Sequence, residues 1–105
     1  MISTHILDTT KGAAASGVTV VLEKKTDKGW APVGIDKTNP DGRIVFDCPK
    51  EKGVYRLTFH TEDYFKGEEF FFMNTPIIFQ VKSTDRKYHV PLLLNPYGYS
   101  TYRGT

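Results

Sequence analysis

The sequence predicts an all-β fold, a sandwich of seven to eight short strands with one short helix between the fifth and sixth strands. Three observations predict it. In most stretches apolar and polar residues alternate with period two, which sends successive side chains to opposite faces of a strand. Turn-forming residues recur at short intervals between these stretches. Only one segment, beginning at Thr61, carries helix signals, and no repeat or low-complexity tract breaks the pattern. Short strands in this density must pair into sheets that bury one face each, and the economical solution is two sheets packed face to face.

Ser3–Asp8 is the first strand, and the small-residue stretch TTKGAAASG, Thr9–Gly17, is a loop. Val18–Lys25, reading VTVVLEKK, is β-branched and apolar before turning polar, as in a strand that emerges at an edge. Thr26–Gly29 turns the chain into a weaker strand, Trp30–Lys37, with Ala31, Val33 and Ile35 on one face. Asn39-Pro40-Asp41-Gly42 is an explicit turn, Pro fixing φ and Gly free to take φ > 0. In the strand that follows, Ile44 and Phe46 share the core face, so Arg43 points outward toward a ligand or another subunit. Val54–Thr61 alternates Tyr55, Leu57 and Phe59 against Arg56, Thr58 and His60. The segment TEDYFKGEEFFF then has Thr61 as N-cap, acids in its first turn and aromatic residues at helical spacings. Ile77, Phe79 and Val81 alternate with Ile78, Gln80 and Lys82, and Ser83-Thr84-Asp85 turns the chain toward a final pair of strands.

Composition narrows the function. A chain of 105 residues reads as one domain, residues 1–105, with too little interior for a deep site, which makes a site between subunits attractive. Fourteen basic and twelve acidic side chains give a net charge of +2, and the basic residues are dispersed, so no nucleic-acid partner is expected. Cys48 is the only cysteine, which excludes an internal disulfide and favours a reducing, cytoplasmic setting. No apolar run approaches the roughly 20 residues of a membrane span, and Met1 leads into ISTHILD without the charged and apolar regions of a signal peptide. The three histidines lack ligand spacing, Cys48 has no CxxC companion, and Gly12 and Gly17 form no phosphate-loop signature. No metal or cofactor is expected. His60, on the polar side of its strand, reads as a surface residue.

The last stretch, Lys87–Thr105, reads KYHVPLLLNPYGYSTYRGT. An apolar run from Val90 to Leu94, a turn at Asn95-Pro96 and the β-prone Tyr97, Tyr99, Thr101 and Tyr102 make strand, turn, strand. A chain end rich in aromatic residues is expected to be paired into a sheet.

HVPLLL, the Pro-aromatic turn and GYSTYRG followed by a hydroxyl residue resemble the C-terminal signature of the transthyretin-related 5-hydroxyisourate hydrolases. His5, Ile6, Leu7, Asp8, Gly12, Gly17 and Val18 are similar to that family's opening, and the Asp41-Gly42-Arg43 string matches where the family has its arginine. Three positions depart from the pattern: Thr105 where Ser is usual, Ala14 where Pro is common, and Lys87 where many members have His.

The resemblance implies a transthyretin-like sandwich that hydrolyses 5-hydroxyisourate to 2-oxo-4-hydroxy-4-carboxy-5-ureidoimidazoline in urate degradation. It implies a homotetramer, a dimer of dimers, with the site at the subunit interface. The positions matching the family's functional residues are His5, Arg43, His89 and Thr105, with Tyr102 as a further substrate-binding residue. Taken singly, each has an ordinary reading as a surface histidine, a solvated strand charge or a chain end, and the signal is their joint match. The residue types suit the chemistry. Histidines titrate near neutrality, so His5 and His89 form an acid/base pair of unassigned order. Arg43 is a permanent cation with planar donors for substrate oxygens and developing charge. Thr105 offers a hydroxyl for substrate or water, water being the attacking nucleophile, and Arg103 is read as ordering the chain end. The alternative is a transthyretin-type binding protein for a small hydrophobic ligand, whose apolar channel would need neither these polar residues nor the Tyr-Arg-Gly ending. An adhesive or regulatory sandwich module is a third class, usually joined to other domains.

Overall fold

The computed structural model describes residues 1–105. β1 (Ile2–Asp8) defines inside and outside: Ile2, Thr4, Ile6 and Asp8 are buried, while Ser3, His5 and Leu7 stay partly exposed on the other face. Beside it run β8 (Tyr88–Asn95), parallel, and β5 (Arg43–Phe46), antiparallel, the latter along the first half of β1. A two-residue strand, β2 (Ala13–Ala14), continues that edge opposite Leu7 and Asp8, inside what the sequence presents as a loop. β9 (Gly98–Thr101) closes the sheet on the far side of β8. The second sheet is antiparallel, in the order β4 (Gly29–Lys37), β3 (Thr19–Thr26), β6 (Gly53–Phe59), β7 (Thr75–Val81).

The core lies between the sheets. Ile6, Val20, Leu22, Leu57 and Phe59 have no exposed surface, and Ile44 and Phe46 face inward as their alternation predicts. Each such side chain contributes about 1.5–3 kcal/mol on burial. The buried polar groups are satisfied: Thr4 Oγ1 donates to the Val90 carbonyl at 2.6 Å. Asp8 accepts from Tyr64 Oη at 2.7 Å and from the amides of Thr10 and Lys11 at 3.0 and 3.1 Å. Burial alone would raise the Asp8 carboxyl, but these hydrogen bonds and the Lys11 charge bring it below its ordinary value.

Two expectations require correction. The helix α1 spans only Thr61–Tyr64, and the residue preceding it is His60 with no side-chain cap. The Thr61 hydroxyl instead donates to the Met73 carbonyl at 3.3 Å and lies 3.5 Å from Thr75 Oγ1, because Thr61 is buried at the end of the sandwich. Gly67, at φ +90°, ends any helical continuation, and Phe65 packs into the core with Phe70 stacked on it. In β4 the ladder steps from Gly34 opposite Leu22 to Pro32 opposite Glu23. Val33 is the extra residue of this bulge and packs against the core, while Ile35 ends 68% exposed, so the three apolar residues do not share one buried face.

The chain end is built into the first sheet, though not as one continuous strand. After Thr101 the backbone leaves the ladder, and Gly104 rejoins it through a bridge to His89. The Arg103 guanidinium lies 4.6 Å from the centre of the Tyr88 ring, a cation–π contact between the chain end and β8. No helix is long and apolar enough to cross a membrane.

Candidate active site

Four side chains from three strands that lie far apart in sequence meet on the outer face of the first sheet. In β1 the outward positions are Ser3 and His5, in β5 Arg43, and in β8 His89, because each occupies the non-core phase of its strand. Register then sets their neighbours. His5 lies directly opposite Arg43 across the β1–β5 ladder, and Ser3 is the partner of His89 across the β1–β8 ladder.

The turn before β5 fixes where Arg43 starts. Asn39 Oδ1 accepts from the amides of Asp41 and Arg43 at 3.0 and 2.9 Å, and the Gly42 amide donates to the Asn39 carbonyl at 2.8 Å. The Gly42 carbonyl in turn accepts from the Ile6 amide at 2.9 Å, tying the turn to β1. Gly42 sits at φ +74°, and a Cβ there would lie 2.7 Å from the Ile6 carbonyl oxygen, so only glycine fits. Arg43 itself is exposed and takes part in neither salt bridge of the molecule. Its guanidinium is free to meet an incoming ligand.

His89 is half-buried, with Nδ1 2.8 Å from Ser3 Oγ. Burial holds its pKa below the ordinary imidazole value, and the positive charge of Arg43 and the neighbouring His5 press it further in the same direction. The neutral ring therefore prevails at neutral pH. The Gly104 amide donates to the His89 carbonyl at 2.8 Å, and a Cβ on Gly104 would stand 2.4 Å from His89 Cδ2. Glycine at this position lets the backbone pass directly over the ring.

Ser3, Arg43, Lys87, His89, Gly104 and Thr105 line an open concavity of about 310 Å³ together with Met1. The sequence-predicted residues fall around it as follows. Arg43, His89 and Thr105 line it, and His5 stands beside Arg43 on the same face. Tyr102 is 60% exposed and lines an adjoining, mainly apolar cleft of about 220 Å³ with Ile78, Thr101 and Arg103, so the fold does not bring it into the concavity. His89 forms a wall of both spaces. His60 stands apart, next to α1. No group of three or more His, Cys, Asp or Glu side chains comes together with the geometry to hold a metal ion.

Sequence reasoning assigned no part to Ser3, Gly104 or Lys87. Ser3 acquires its role only through a contact spanning 86 positions of sequence, which no local pattern signals. Gly104 was visible in the terminal Tyr-Arg-Gly string, but the steric reason for it is the His89 ring. Two imidazoles, an unpaired guanidinium and a terminal hydroxyl on one face can move protons and stabilise negative charge on an oxygen.

Comparison with known proteins bears on this arrangement. The model of the HIUase/Transthyretin family matches residues 2–104. The chain is 46% identical to a 5-hydroxyisourate hydrolase of Salmonella dublin, in an alignment covering 100% of this chain and 81% of that protein. Among solved structures it is similar to a 5-hydroxyisourate hydrolase of Klebsiella pneumoniae, with a TM-score of 0.85 and 37% identity over 99% of this chain and 98% of that one. It is also similar to sea bream transthyretin in complex with thyroxine, with a TM-score of 0.91 and 29% identity over 99% of this chain and 94% of that one.

Proposed function

This chain belongs to the HIUase/Transthyretin family, and from that premise we propose that it is a hydrolase that opens 5-hydroxyisourate to 2-oxo-4-hydroxy-4-carboxy-5-ureidoimidazoline in urate degradation. The 5-hydroxyisourate hydrolases of Salmonella dublin and Klebsiella pneumoniae support this reading along essentially the whole chain. The observation that carries it is the meeting of His5, Arg43, His89 and Thr105 around one polar face. The likeness to transthyretin reflects the shared sandwich, and a binding channel for a small hydrophobic ligand has no need of an unpaired arginine beside two histidines.

Opening a cyclic amide requires deprotonated water, a stabilised carbonyl oxygen and a protonated departing nitrogen. In our reading His5 and His89 supply the proton transfers, Arg43 binds the carbonyl oxygen as negative charge develops, and Thr105 hydrogen-bonds substrate or water. Tyr102 borders substrate from the adjoining cleft. The active form is a homotetramer, a dimer of dimers whose subunits complete the site. This is supported by the open concavity, which a single chain leaves uncovered on one side, and by a domain too small for a deep pocket. The unpaired Cys48 supports a reducing setting, and we infer the cytoplasm.

The test is the decay of freshly generated 5-hydroxyisourate, followed with and without protein. Acceleration proportional to protein concentration is expected, and an unchanged decay would overturn the assignment. Light scattering at the assay concentration is expected to give the tetramer, and an active monomer would contradict the interfacial site.

A further inference from the structure

One side-chain contact on the outer face of the first sheet stands apart from the ladders around it. β1 and β8 run parallel with Ser3 beside His89, and the 2.8 Å contact between Ser3 Oγ and His89 Nδ1 is the only hydrogen bond either side chain makes. Gly104 confines the ring from a second direction, its backbone passing so close to Cδ2 that no Cβ fits. The ring is thus held at Nδ1 and blocked at a carbon. Nε2 is left without a partner in the chain, on a residue that lines the concavity with Arg43 and Thr105.

We propose that Ser3 is a positioning residue for the hydrolysis: its Oγ accepts a hydrogen bond from Nδ1–H of His89, so that Nε2 carries the lone pair and takes the proton of the attacking water. This rests on the reading of the chain as a cyclic-amide hydrolase. A neutral imidazole donates from one nitrogen and accepts at the other. The surroundings of His89 disfavour the cation, first by burial and then through Arg43 and His5. A neutral imidazole N–H is too weak an acid to protonate a departing nitrogen, so a neutral His89 serves as the base. A base needs its lone pair on the nitrogen that faces water, and with Nδ1 occupied by Ser3 that nitrogen is Nε2. A serine that donated to Nδ1 would instead put the hydrogen on Nε2 and remove the base.

The protons balance. As the water oxygen bonds to the ring carbonyl carbon, its proton passes to Nε2 of His89, and the carbon–nitrogen bond of the resulting adduct then breaks. The departing nitrogen receives a proton from His5, and the carboxylic acid formed ionises to solvent. His89 returns its proton to solvent and His5 regains one, so the net reaction consumes one water and leaves a carboxylate. Ser3 acts only through His89.

The experiment is in two parts on the full-length protein. The first is a long-range proton–nitrogen NMR spectrum of the labelled, substrate-free wild type, in which His89 is expected as the Nδ1–H tautomer at neutral pH. An Nε2–H tautomer would overturn the proposal, and because no substrate is present this outcome is independent of which cyclic amide is hydrolysed. The second compares Ser3→Ala and Ser3→Thr with wild type. Ser3→Ala is expected to lower kcat about 10-fold, part of the roughly 10²–10⁴-fold that a positioned base contributes, with KM little changed. It should also move the acidic limb of kcat/KM to lower pH, since a hydroxyl acceptor stabilises imidazolium more than the neutral ring. Ser3→Thr, which keeps the hydroxyl, should restore both quantities. Wild-type kcat and an unmoved limb in Ser3→Ala would remove Ser3 from the mechanism.

Discussion

Arg43 and Arg56 both project from strands onto outer faces of the sandwich, one on each sheet, yet the fold treats them oppositely. Arg56 donates through Nε and Nη2 to Glu23 Oε1, at 3.1 and 2.7 Å, and its guanidinium lies 4.3 Å from the centre of the Trp30 ring. Nearby, Lys24 meets Glu51 at 2.6 Å. Two cations of the second sheet, Arg56 and Lys24, are thus paired within the chain. On the first sheet Arg43 has a histidine opposite it in place of a carboxylate, and no salt bridge. A guanidinium with its donors already spent has little to offer a ligand, whereas an unpaired one beside half-buried imidazoles marks where charge is meant to arrive. The same residue type is therefore paired on one face and left free on the other, according to its cross-strand neighbour.

The comparison breaks first at the histidines. His89→Asn and His5→Asn are expected to remove roughly 10²-fold or more of turnover while circular dichroism stays native, the usual scale for a positioned acid or base. Near wild-type rates in both would dissolve the distinction between the faces. Arg43→Gln is expected to cost roughly 10²-fold in kcat, as for a lost donor to a developing oxyanion. Arg56→Gln should leave turnover unchanged and reduce stability by about 0.5–1 kcal/mol in urea, the scale of a partly exposed ion pair.

The pair of arginines also separates in pH dependence. His89 has a folded pKa below its ordinary value of 6.5, for which burial is the first cause and Arg43 the second. The unfolded chain then binds the proton more readily. The stability tied to this group is complete above 6.5 and is lost as pH falls from there through the folded value. Activity that needs neutral His89 should fall on the same acidic side. Arg43→Gln should move that limb of kcat/KM upward, and Arg56→Gln should not move it, both read from a pH–rate profile.

Smaller effects sharpen the picture at the chain end. Gly104→Ala must displace the His89 ring, since the added Cβ would stand 2.4 Å from Cδ2. About a 10-fold loss in kcat with an intact core is expected, a misplacement effect in a positioned base. A wild-type rate would mean that the tail and the ring yield to each other freely. Deleting Thr105 or extending it with a tag should lower turnover, because the terminus lines the concavity, whereas Thr105→Ser should be close to neutral since both residues offer the same donor and acceptors. Equal turnover in all four forms would reduce the terminus to a strand end.

Much of this was legible from the chain alone. Alternation in β5 and β6 assigned Ile44, Phe46, Leu57 and Phe59 to the core and Arg43 to the outside, because a period-two pattern is local and each strand carries its own. Asn39-Pro40-Asp41-Gly42 announced its turn for the same reason. Where local rules competed with tertiary ones they lost. Thr61 gave up its cap for the Met73 carbonyl, and the bulge at Val33 turned Ile35 outward. The resemblance to known hydrolases singled out His5, Arg43, His89 and Thr105 but not what holds them. By itself the sequence determined which side of β1, β5 and β6 faces water. Only the tertiary structure decided that Ser3 reaches His89 across 86 positions and that Gly104 lies over the same ring, because strand pairing is chosen by the joint burial of both sheets and not by any one segment.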